Sequence, residues 1–233
     1  MKILQKIKAT SIFIQFLISV TIVIFLMKIF KKNIWQIRRA WAKMQAWFIG
    51  YDLEIEGSQD EDAQMLILNH QSLLDIIILE AISEKNIAWV AKKEITDMKF
   101  FGQIITLPNM ISINREDKKS LLKLFADSRE KVENGRVIAI FPEGTRGDGK
   151  ILAPFKAGTK LIASKLKLKV QPIVVVNTKN VLDSQDFLAK SGKVKLIYLD
   201  SFYVKENKNW FEDIQINMQT VLDNELKKIK SEN

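Results

Sequence analysis

Near its start the chain has a hydrophobic segment in which polar residues do not recur at a regular spacing. Residues 10–27 read TSIFIQFLISVTIVIFLM, without a charged residue, and lysines stand on both sides. A run of about 18 apolar residues just reaches the length that spans a bilayer core. The pattern predicts either a membrane-spanning helix or a helix embedded in one leaflet. A cleaved signal peptide is disfavoured because no small-x-small site follows, and a core helix because the run is apolar on every face.

The next segment, residues 34–48, has apolar residues at spacings of three and four, which predicts an amphipathic helix. Its apolar stripe is Ile34, Ile37, Trp41, Met44 and Phe48. Trp35 and Trp47 flank the stripe, and the basic residues beside it are Lys31, Lys32, Arg38, Arg39 and Lys43. This composition is typical of a helix at a membrane interface, and the alternative is an amphipathic helix docked on a core. We therefore predict that residues 1–50 anchor the chain to a membrane, with the remainder on the cytoplasmic side.

After Gly50 the pattern changes to short apolar runs that alternate with amphipathic segments. The runs predict strands at 52–56, 65–68, 87–90, 111–113, 137–141, 170–176 and 194–199. The amphipathic segments predict helices at 73–82, 117–133, 158–166 and 210–229. Strands alternating with helices imply an α/β domain over 51–233 whose sheet is covered on both faces.

Composition narrows the possible partners. The chain has 36 basic and 27 acidic residues, and its net charge of +9 favours an anionic partner such as a membrane, a nucleic acid or a phosphorylated substrate. Aromatic and basic residues cluster beside the hydrophobic N-terminus rather than in the body, which favours anionic lipids over nucleic acid. Because the chain has no cysteine and one histidine, no thiolate chemistry and no metal site are expected.

The single histidine, His70, directly follows the predicted strand 65–68, and Asp75 stands five residues later. Five steps of an ideal helix rotate by about 140°, so the two side chains meet only if His70 lies in a loop and Asp75 in the first helical turn. In that arrangement the carboxylate would hold one imidazole tautomer and stabilise the imidazolium. On spacing alone, a capping histidine beside an unrelated aspartate is the favoured interpretation.

Arg115 and Glu143 also stand just past predicted strands, and open α/β sheets bind ligands at that edge. Without the resemblance described below, a salt bridge between Glu143 and Arg146 within one turn is the simpler interpretation. The chain contains no Gly-x-Ser-x-Gly, so a His–Asp pair would activate a hydroxyl of the substrate rather than of the protein. Residues 144–150 match the start of a phosphate-binding P-loop, but Ile151 and Pro154 rule out the helix that should follow.

Four blocks in order resemble the glycerolipid acyltransferases, whose closest branch acylates 1-acyl-sn-glycerol 3-phosphate (lysophosphatidate). They are Asn-His-x4-Asp at 69–75, Asn109 to Arg115, Phe-Pro-Glu-Gly-Thr-Arg at 141–146, and Val170 to Val174 around Pro172. The second block departs from the pattern because Asn109 stands where glycine is usual. The resemblance implies an α/β fold with a mixed sheet flanked by helices, like that of glycerol-3-phosphate acyltransferase, preceded by membrane-associated helices.

The resemblance also implies roles for individual residues. His70, oriented by Asp75, would take the proton from the sn-2 hydroxyl of lysophosphatidate, which then attacks an acyl thioester of coenzyme A or acyl carrier protein. Arg115 and Arg146 would hold the acceptor phosphate, with Lys93 as a weaker candidate. The turn of Glu143, Gly144 and Thr145 would position the acceptor, and Pro172 would line the acyl path. No cofactor is implied, and the alternatives are another acceptor, such as glycerol 3-phosphate, another lysophospholipid or a lyso-ornithine lipid, or a non-catalytic membrane adaptor.

Overall fold

The computed structural model describes residues 2–114, 119–204 and 209–231. Its α-helices are α1 (Lys2–Ile29), α2 (Ile34–Ile49), α3 (Leu73–Ile82), α4 (Lys93–Thr96), α5 (Gln103–Thr106), α6 (Lys119–Glu133), α7 (Ala157–Leu166), α8 (Thr178–Val181) and α9 (Trp210–Ser231). Its strands are β1 (Asp52–Glu56), β2 (Met65–Leu68), β3 (Ile87–Lys92), β4 (Ile111–Ile113), β5 (Val137–Ile140), β6 (Lys169–Val176), β7 (Leu182–Asp183), β8 (Leu188–Ala189), β9 (Lys193–Tyr198) and β10 (Phe202–Tyr203). The predicted strands and long helices all form, with small shifts at their ends, and the predicted start of one helix at residues 117–118 lies outside the described residues.

The main sheet is mixed, with the strand order β1-β9-β6-β2-β5-β3-β4 and β10 paired with β6. The five strands from β6 to β4 run parallel to their neighbours, whereas β9 and β10 pair with β6 in the antiparallel sense. Parallel neighbours bring the ends of β2, β5 and β3 to one edge of the sheet. This edge carries the loops that follow Leu68, Ile140 and Lys92.

Helices cover both faces of the sheet, as the alternation of elements predicts. On one face α3 packs with the inward residues of the central strands, together with Ala9 and Ile12 of α1 and Ile49 of α2. On the other face α6, α7 and α9 pack against alternate residues of the same strands. All four residues of β2 are buried. Because successive strand residues point to opposite faces, this shows that the sheet is covered on both sides at β2.

The first helix, α1, is longer than the predicted apolar run and presents two different sides. Buried residues such as Val20, Ile24 and Met27 pack toward α2 and the α5 region. The opposite side is open, and we call its residues the outward stripe: Ile14, Ile18, Ile22, Phe25 and Ile29, each at least 52% exposed. By length and composition α1 is able to cross a membrane, although a third of its most apolar window is buried in the protein.

In the second helix, α2, three residues of the predicted apolar stripe, Ile34, Ile37 and Trp41, are partly buried against α1. Its buried residues are Arg38, Ala42, Gln45 and Ile49, whereas Met44 and Phe48 of the predicted stripe stay exposed. Arg38 is 5% exposed and pairs with Glu80 of α3 at 2.7 Å. Its predicted position among surface cations beside the membrane is therefore wrong, because the carboxylate of Glu80 compensates its charge inside the protein.

The predicted boundary between residues 1–50 and 51–233 is crossed by several contacts. Besides the pair of Arg38 and Glu80, Lys8 donates to Ser191 at 3.0 Å, and Phe13 packs edge-on against Phe187 at 5.7 Å. Within the helix pair, Ser19 accepts hydrogen bonds from Trp41 and Gln45. The division into two functional segments stays a prediction, and the helices of the first segment are attached to the second.

Candidate active site

His70 and Asp75 contact each other directly. The loop of residues 69–72, which we call the His70 loop, connects β2 to α3. Ser72 caps α3 by accepting from the Leu74 N–H at 3.1 Å, so Asp75 falls in the first helical turn and reaches back. Its Oδ2 lies 2.8 Å from His70 Nδ1. This is the geometry that the spacing requires, and it leaves Nε2 of an imidazole that is 15% exposed for a substrate proton.

The Asp75 carboxylate is fully buried and bonded at both oxygens. Oδ2 also accepts from the backbone N–H groups of Gln71 at 2.6 Å and Ser72 at 2.9 Å. Oδ1 accepts from the Thr178 hydroxyl at 2.5 Å. These donors hold the carboxylate in a fixed orientation toward the imidazole, from which it could stabilise an imidazolium.

Two amide side chains attach the His70 loop to the end of β6. Asn69 donates to the carbonyl of Val175 at 2.9 Å and accepts from the Val175 N–H at 2.7 Å. Gln71 donates to the same carbonyl at 2.8 Å. Asn69 thus continues the pairing of β2 with β6 beyond the strand, and the loop leaves the sheet at a fixed position.

Glu143 ties the loop after β5 to the His70 loop. Its side chain is 2% exposed, with one oxygen accepting from the His70 N–H at 2.8 Å and the other from the Ala153 N–H at 2.7 Å. Burial raises the pKa of Glu143, and the backbone donors of His70 and Ala153 oppose that shift. Since both oxygens are engaged inside the protein, Glu143 would position an acceptor through the loop rather than by direct contact.

The rest of the Phe-Pro-Glu-Gly-Thr-Arg turn is arranged around this anchor. Gly144 takes a left-handed conformation with φ 72°, and the Gly147 N–H donates to the His70 carbonyl at 2.8 Å. Thr145 and Arg146 are exposed at the edge of the sheet. Arg146 donates to Ser184 in the β7–β8 hairpin, so the salt bridge between Glu143 and Arg146 that spacing alone suggested is replaced by two separate sets of partners.

An aromatic stack supports the imidazole from one face. Phe141 lies parallel to His70, with ring centroids 3.8 Å apart, and Trp89 stacks on Phe141 at 5.5 Å. The Trp89 indole donates to Glu80 at 2.9 Å, and Glu80 is the partner of Arg38. A chain of contacts therefore leads from α2 to the face of His70.

The remaining predicted site residues, Lys93, Pro172 and Arg115, do not all lie at the site. Lys93 begins α4 at the same edge of the sheet, half exposed and paired with Asp97 at 2.5 Å. Pro172 lies inside β6, opposite Ile67 of β2, where β6 changes partner from β10 to β9 and a strand proline is tolerated. It is buried in the sheet, and it does not line the crevice beside His70. Arg115 lies outside the described residues, so its predicted role stays untested.

Asn109 shows why glycine is dispensable at the start of the second block. Its φ is 51°, in the left-handed region that glycine adopts freely and that asparagine tolerates better than most residues. Arg136 donates to the carbonyls of Pro108 and Asn109, each at 2.9 Å. The departure from the family pattern thus preserves the backbone turn that leads into β4.

Sequence reasoning missed Gln71, Thr178, Phe141 as a stacking partner, and Trp89. Gln71 lies inside the first block and Phe141 begins the third, so membership of these blocks already pointed to both residues. Thr178 and Trp89 lie in other segments and meet the site only through the sheet, since β6, β2, β5 and β3 are adjacent. Spacing along the chain carries no information on such contacts.

A mixed α/β sheet with a hydrogen-bonded His–Asp pair at the ends of its parallel strands fits the acyltransferase class that the four sequence blocks predict. The acyltransferase family model matches residues 52–176, and all the site residues described above lie in this range except those of α8 and the β7–β8 hairpin. The chain belongs to the acyltransferase family, which confirms the resemblance.

Relatives with specific names are similar to this chain. A 1-acyl-sn-glycerol-3-phosphate acyltransferase from Helicobacter pylori (strain J99 / ATCC 700824) is 44% identical over 172 residues, covering 73% of each chain. The protein of that name from Cocos nucifera is 34% identical over 138 residues, 58% of this chain and 45% of the relative. The crystal structure of the 1-acyl-sn-glycerophosphate (LPA) acyltransferase PlsC from Thermotoga maritima has a TM-score of 0.73 at 22% identity, covering 98% and 96% of the two chains, and shows the same fold.

Proposed function

We propose that this protein transfers a fatty acyl group from acyl coenzyme A or acyl carrier protein to the sn-2 hydroxyl of lysophosphatidate, giving phosphatidate. The observation that carries the proposal is the 2.8 Å contact between His70 Nδ1 and the buried Asp75 carboxylate. The pair has the form of a general base and its orienting carboxylate, and the sequence contains no Gly-x-Ser-x-Gly that would carry a serine nucleophile. The names of the Helicobacter pylori and Cocos nucifera relatives support this acceptor.

The proposed reaction uses His70 first as a base and then as an acid. Nε2 takes the proton of the sn-2 hydroxyl, while the N–H of Nδ1 stays hydrogen-bonded to the Asp75 carboxylate. The oxygen attacks the thioester carbonyl, a C–O bond forms, and the C–S bond breaks as the tetrahedral intermediate collapses. The thiolate leaves with the proton from the imidazolium, so the free thiol and the ester are the products. This sequence needs no metal and no cofactor.

The acceptor phosphate is assigned to the exposed cations at this edge of the sheet. Arg146 lies on the turn that Glu143 attaches to His70, and a guanidinium can donate two parallel bonds to a phosphate. Lys93 would reach the same anion after exchanging Asp97 for it. Arg115 keeps its predicted role as the other arginine. We expect Arg146→Ala to raise the acceptor KM, with Arg129→Ala, an exposed arginine of α6, as the matched control.

Membrane association supplies the lipid acceptor. The outward stripe of α1 is a continuous apolar surface, and such surfaces mark membrane or protein contacts. We propose that α1 and α2 hold the domain on the cytoplasmic leaflet, with anionic lipids favoured by the net charge of +9. A helix that spans the bilayer and a helix that lies in one leaflet both satisfy this proposal.

The deciding experiment measures thioester consumption by the purified full chain with lysophosphatidate. His70→Ala should lower turnover by about 10²–10⁴-fold while circular dichroism stays unchanged. Unchanged turnover in that variant would refute the proposal and favour a non-catalytic adaptor. Running wild-type protein on glycerol 3-phosphate, other lysophospholipids and a lyso-ornithine lipid, with both donors, would then identify acceptor and donor.

A further inference from the structure

Thr178 is a buried residue that contacts Asp75 from outside the four sequence blocks. It is the first residue of α8 and is 0% exposed. Its Oγ1 donates to Asp75 Oδ1 at 2.5 Å, while Oδ2 faces His70 Nδ1 at 2.8 Å. The two carboxylate oxygens therefore have different partners, the hydroxyl on one side and the imidazole on the other.

The position of Thr178 depends on a turn at the end of β6. Asn177 has φ 68°, in the left-handed region, and its side-chain amide donates to the carbonyl of Lys193 at 2.6 Å. Asn180 donates to the Asn177 side-chain oxygen at 2.7 Å. These bonds fix the reversal of the chain after β6, so that Thr178 is directed toward α3.

The same end of β6 also holds the His70 loop, because the carbonyl of Val175 accepts from Asn69 and Gln71. The His70 loop and the Asp75 carboxylate are thus both hydrogen-bonded to one short segment of the chain, residues 175–178. Without Thr178, the rotation of the carboxylate would be set only by the donors at Oδ2, which are His70 Nδ1 and the backbone N–H groups of Gln71 and Ser72. Because the terminal torsion of an aspartate is broad, losing the donor at Oδ1 would let the carboxylate tilt and weaken the alignment of Oδ2 with Nδ1.

We propose that Thr178 is a positioning residue for the His70–Asp75 pair. Its hydroxyl fixes the rotation of the Asp75 carboxylate, and this keeps Oδ2 on Nδ1 and the imidazole proton on that nitrogen. Nε2 is thereby kept unprotonated for the substrate. The inference rests on the proposed function, in which His70 is the base.

Three variants separate this role from simple filling of space. Thr178→Val keeps the shape and removes the donor, and we expect kcat to fall by about 10–100-fold with both KM values within about twofold. Thr178→Ser keeps the donor and should recover most of the loss. The matched control is Thr159→Val, a buried threonine of α7, which should keep wild-type kcat.

A direct readout is available because the chain has one histidine. Protein labelled with ¹⁵N-histidine and purified without a histidine tag gives a single imidazole in NMR spectra. At a pH where it is neutral, we expect the proton on Nδ1 in wild type and Thr178→Ser, and a mixture of tautomers in Thr178→Val. A role in packing alone would leave the tautomer unchanged.

The outcomes distinguish this inference from the function on which it rests. If Thr178→Val keeps wild-type kcat and tautomer while His70→Ala is inactive, the role of Thr178 is refuted and the proposed function stands. If His70→Ala stays active, the proposed function is refuted instead. Equal losses in the Val and Ser variants with an unchanged tautomer would also refute the positioning role. Should Thr178→Val fold poorly by circular dichroism, Thr178→Ala compared with Thr178→Ser gives the same test.

Discussion

The His70 loop and the helix pair α1–α2 are held by different kinds of contact. Residues 69–72 are held by directional hydrogen bonds to the carboxylates of Asp75 and Glu143 and to the end of β6. The polar side chains that make these bonds are buried. The helix pair is held mainly by apolar packing and leaves the outward stripe uncovered. The difference follows from the proposed tasks, because a base must be placed within fractions of an ångström, whereas a membrane surface needs apolar area rather than fixed partners.

A chain of contacts that begins at Arg38 connects the two regions. Arg38 of α2 binds Glu80, which also accepts from Trp89, and Trp89 and Phe141 stack behind His70. Through this connection the helix pair shares a support with the His70 imidazole. Three changes would test how far the comparison between the regions holds, and a fourth tests an ion pair outside both regions.

The largest effect is expected in the His70 loop. Asp75→Asn keeps the size of the side chain but places an amide where the carboxylate accepts four hydrogen bonds. We expect kcat to fall by about 10³–10⁴-fold, because the imidazole loses the partner that holds its tautomer. Turnover with lysophosphatidate at saturating donor measures it, and a loss below tenfold would contradict the role of Asp75.

The second change breaks the contact between the regions. Arg38→Met leaves the Glu80 carboxylate buried and unpaired, so the free energy of unfolding should fall by about 3–5 kcal/mol. Urea unfolding in a mild detergent measures it. The double variant Arg38→Met with Glu80→Leu removes both charges and should recover much of the loss, whereas equal destabilisation of the single and double variants would show that packing, not charge, dominates.

The third change targets the outward stripe. Ile18→Lys places a charge on a residue that is 58% exposed, so folding should be preserved while vesicle binding weakens by about tenfold or more. Sedimentation with vesicles containing anionic lipid measures binding. Ile216→Lys, on an isoleucine of α9 that is 66% exposed, is the matched control and should bind as wild type. Equal binding of both variants would remove the stripe from the membrane contact.

The smallest effect concerns an ion pair in neither region. Asp60 accepts from Lys169 and Ser201, and these contacts lower its pKa to about 2. A carboxyl with a lowered folded pKa contributes stability above its unfolded value, and that contribution is lost as pH falls through the folded value. Asp60→Asn should therefore be less stable than wild type at pH 6, with the difference shrinking between about pH 4 and pH 2. Thermal unfolding across that range measures it, and a difference independent of pH would argue against an electrostatic origin.

Local patterns in the sequence predict much of this molecule. The boundaries of β1, β2, α3 and β4 match the apolar runs and the Ser72 cap, because periodicity and capping act within a few residues. The short helices α4, α5 and α8 were missed, since four residues carry too little pattern to be distinguished from a turn. In α2 the apolar spacing located the stripe, of which Ile34, Ile37 and Trp41 pack against α1, but it gave no indication that Arg38 pairs with Glu80 inside the protein.

The sequence by itself determined the longer elements and the apolar N-terminus, and its resemblance to the family predicted the His70–Asp75 contact, whose members lie in one loop and the first turn after it. Only the tertiary structure decided that Arg38 is internal, that Glu143 binds the backbone of His70, that Phe141 and Trp89 stack behind the imidazole, and that Thr178 meets Asp75. These residues are 42 to 103 positions from their partners or lie on neighbouring strands. The physical reason is the sheet, whose parallel order brings distant strand ends to one edge, and no local pattern encodes that order.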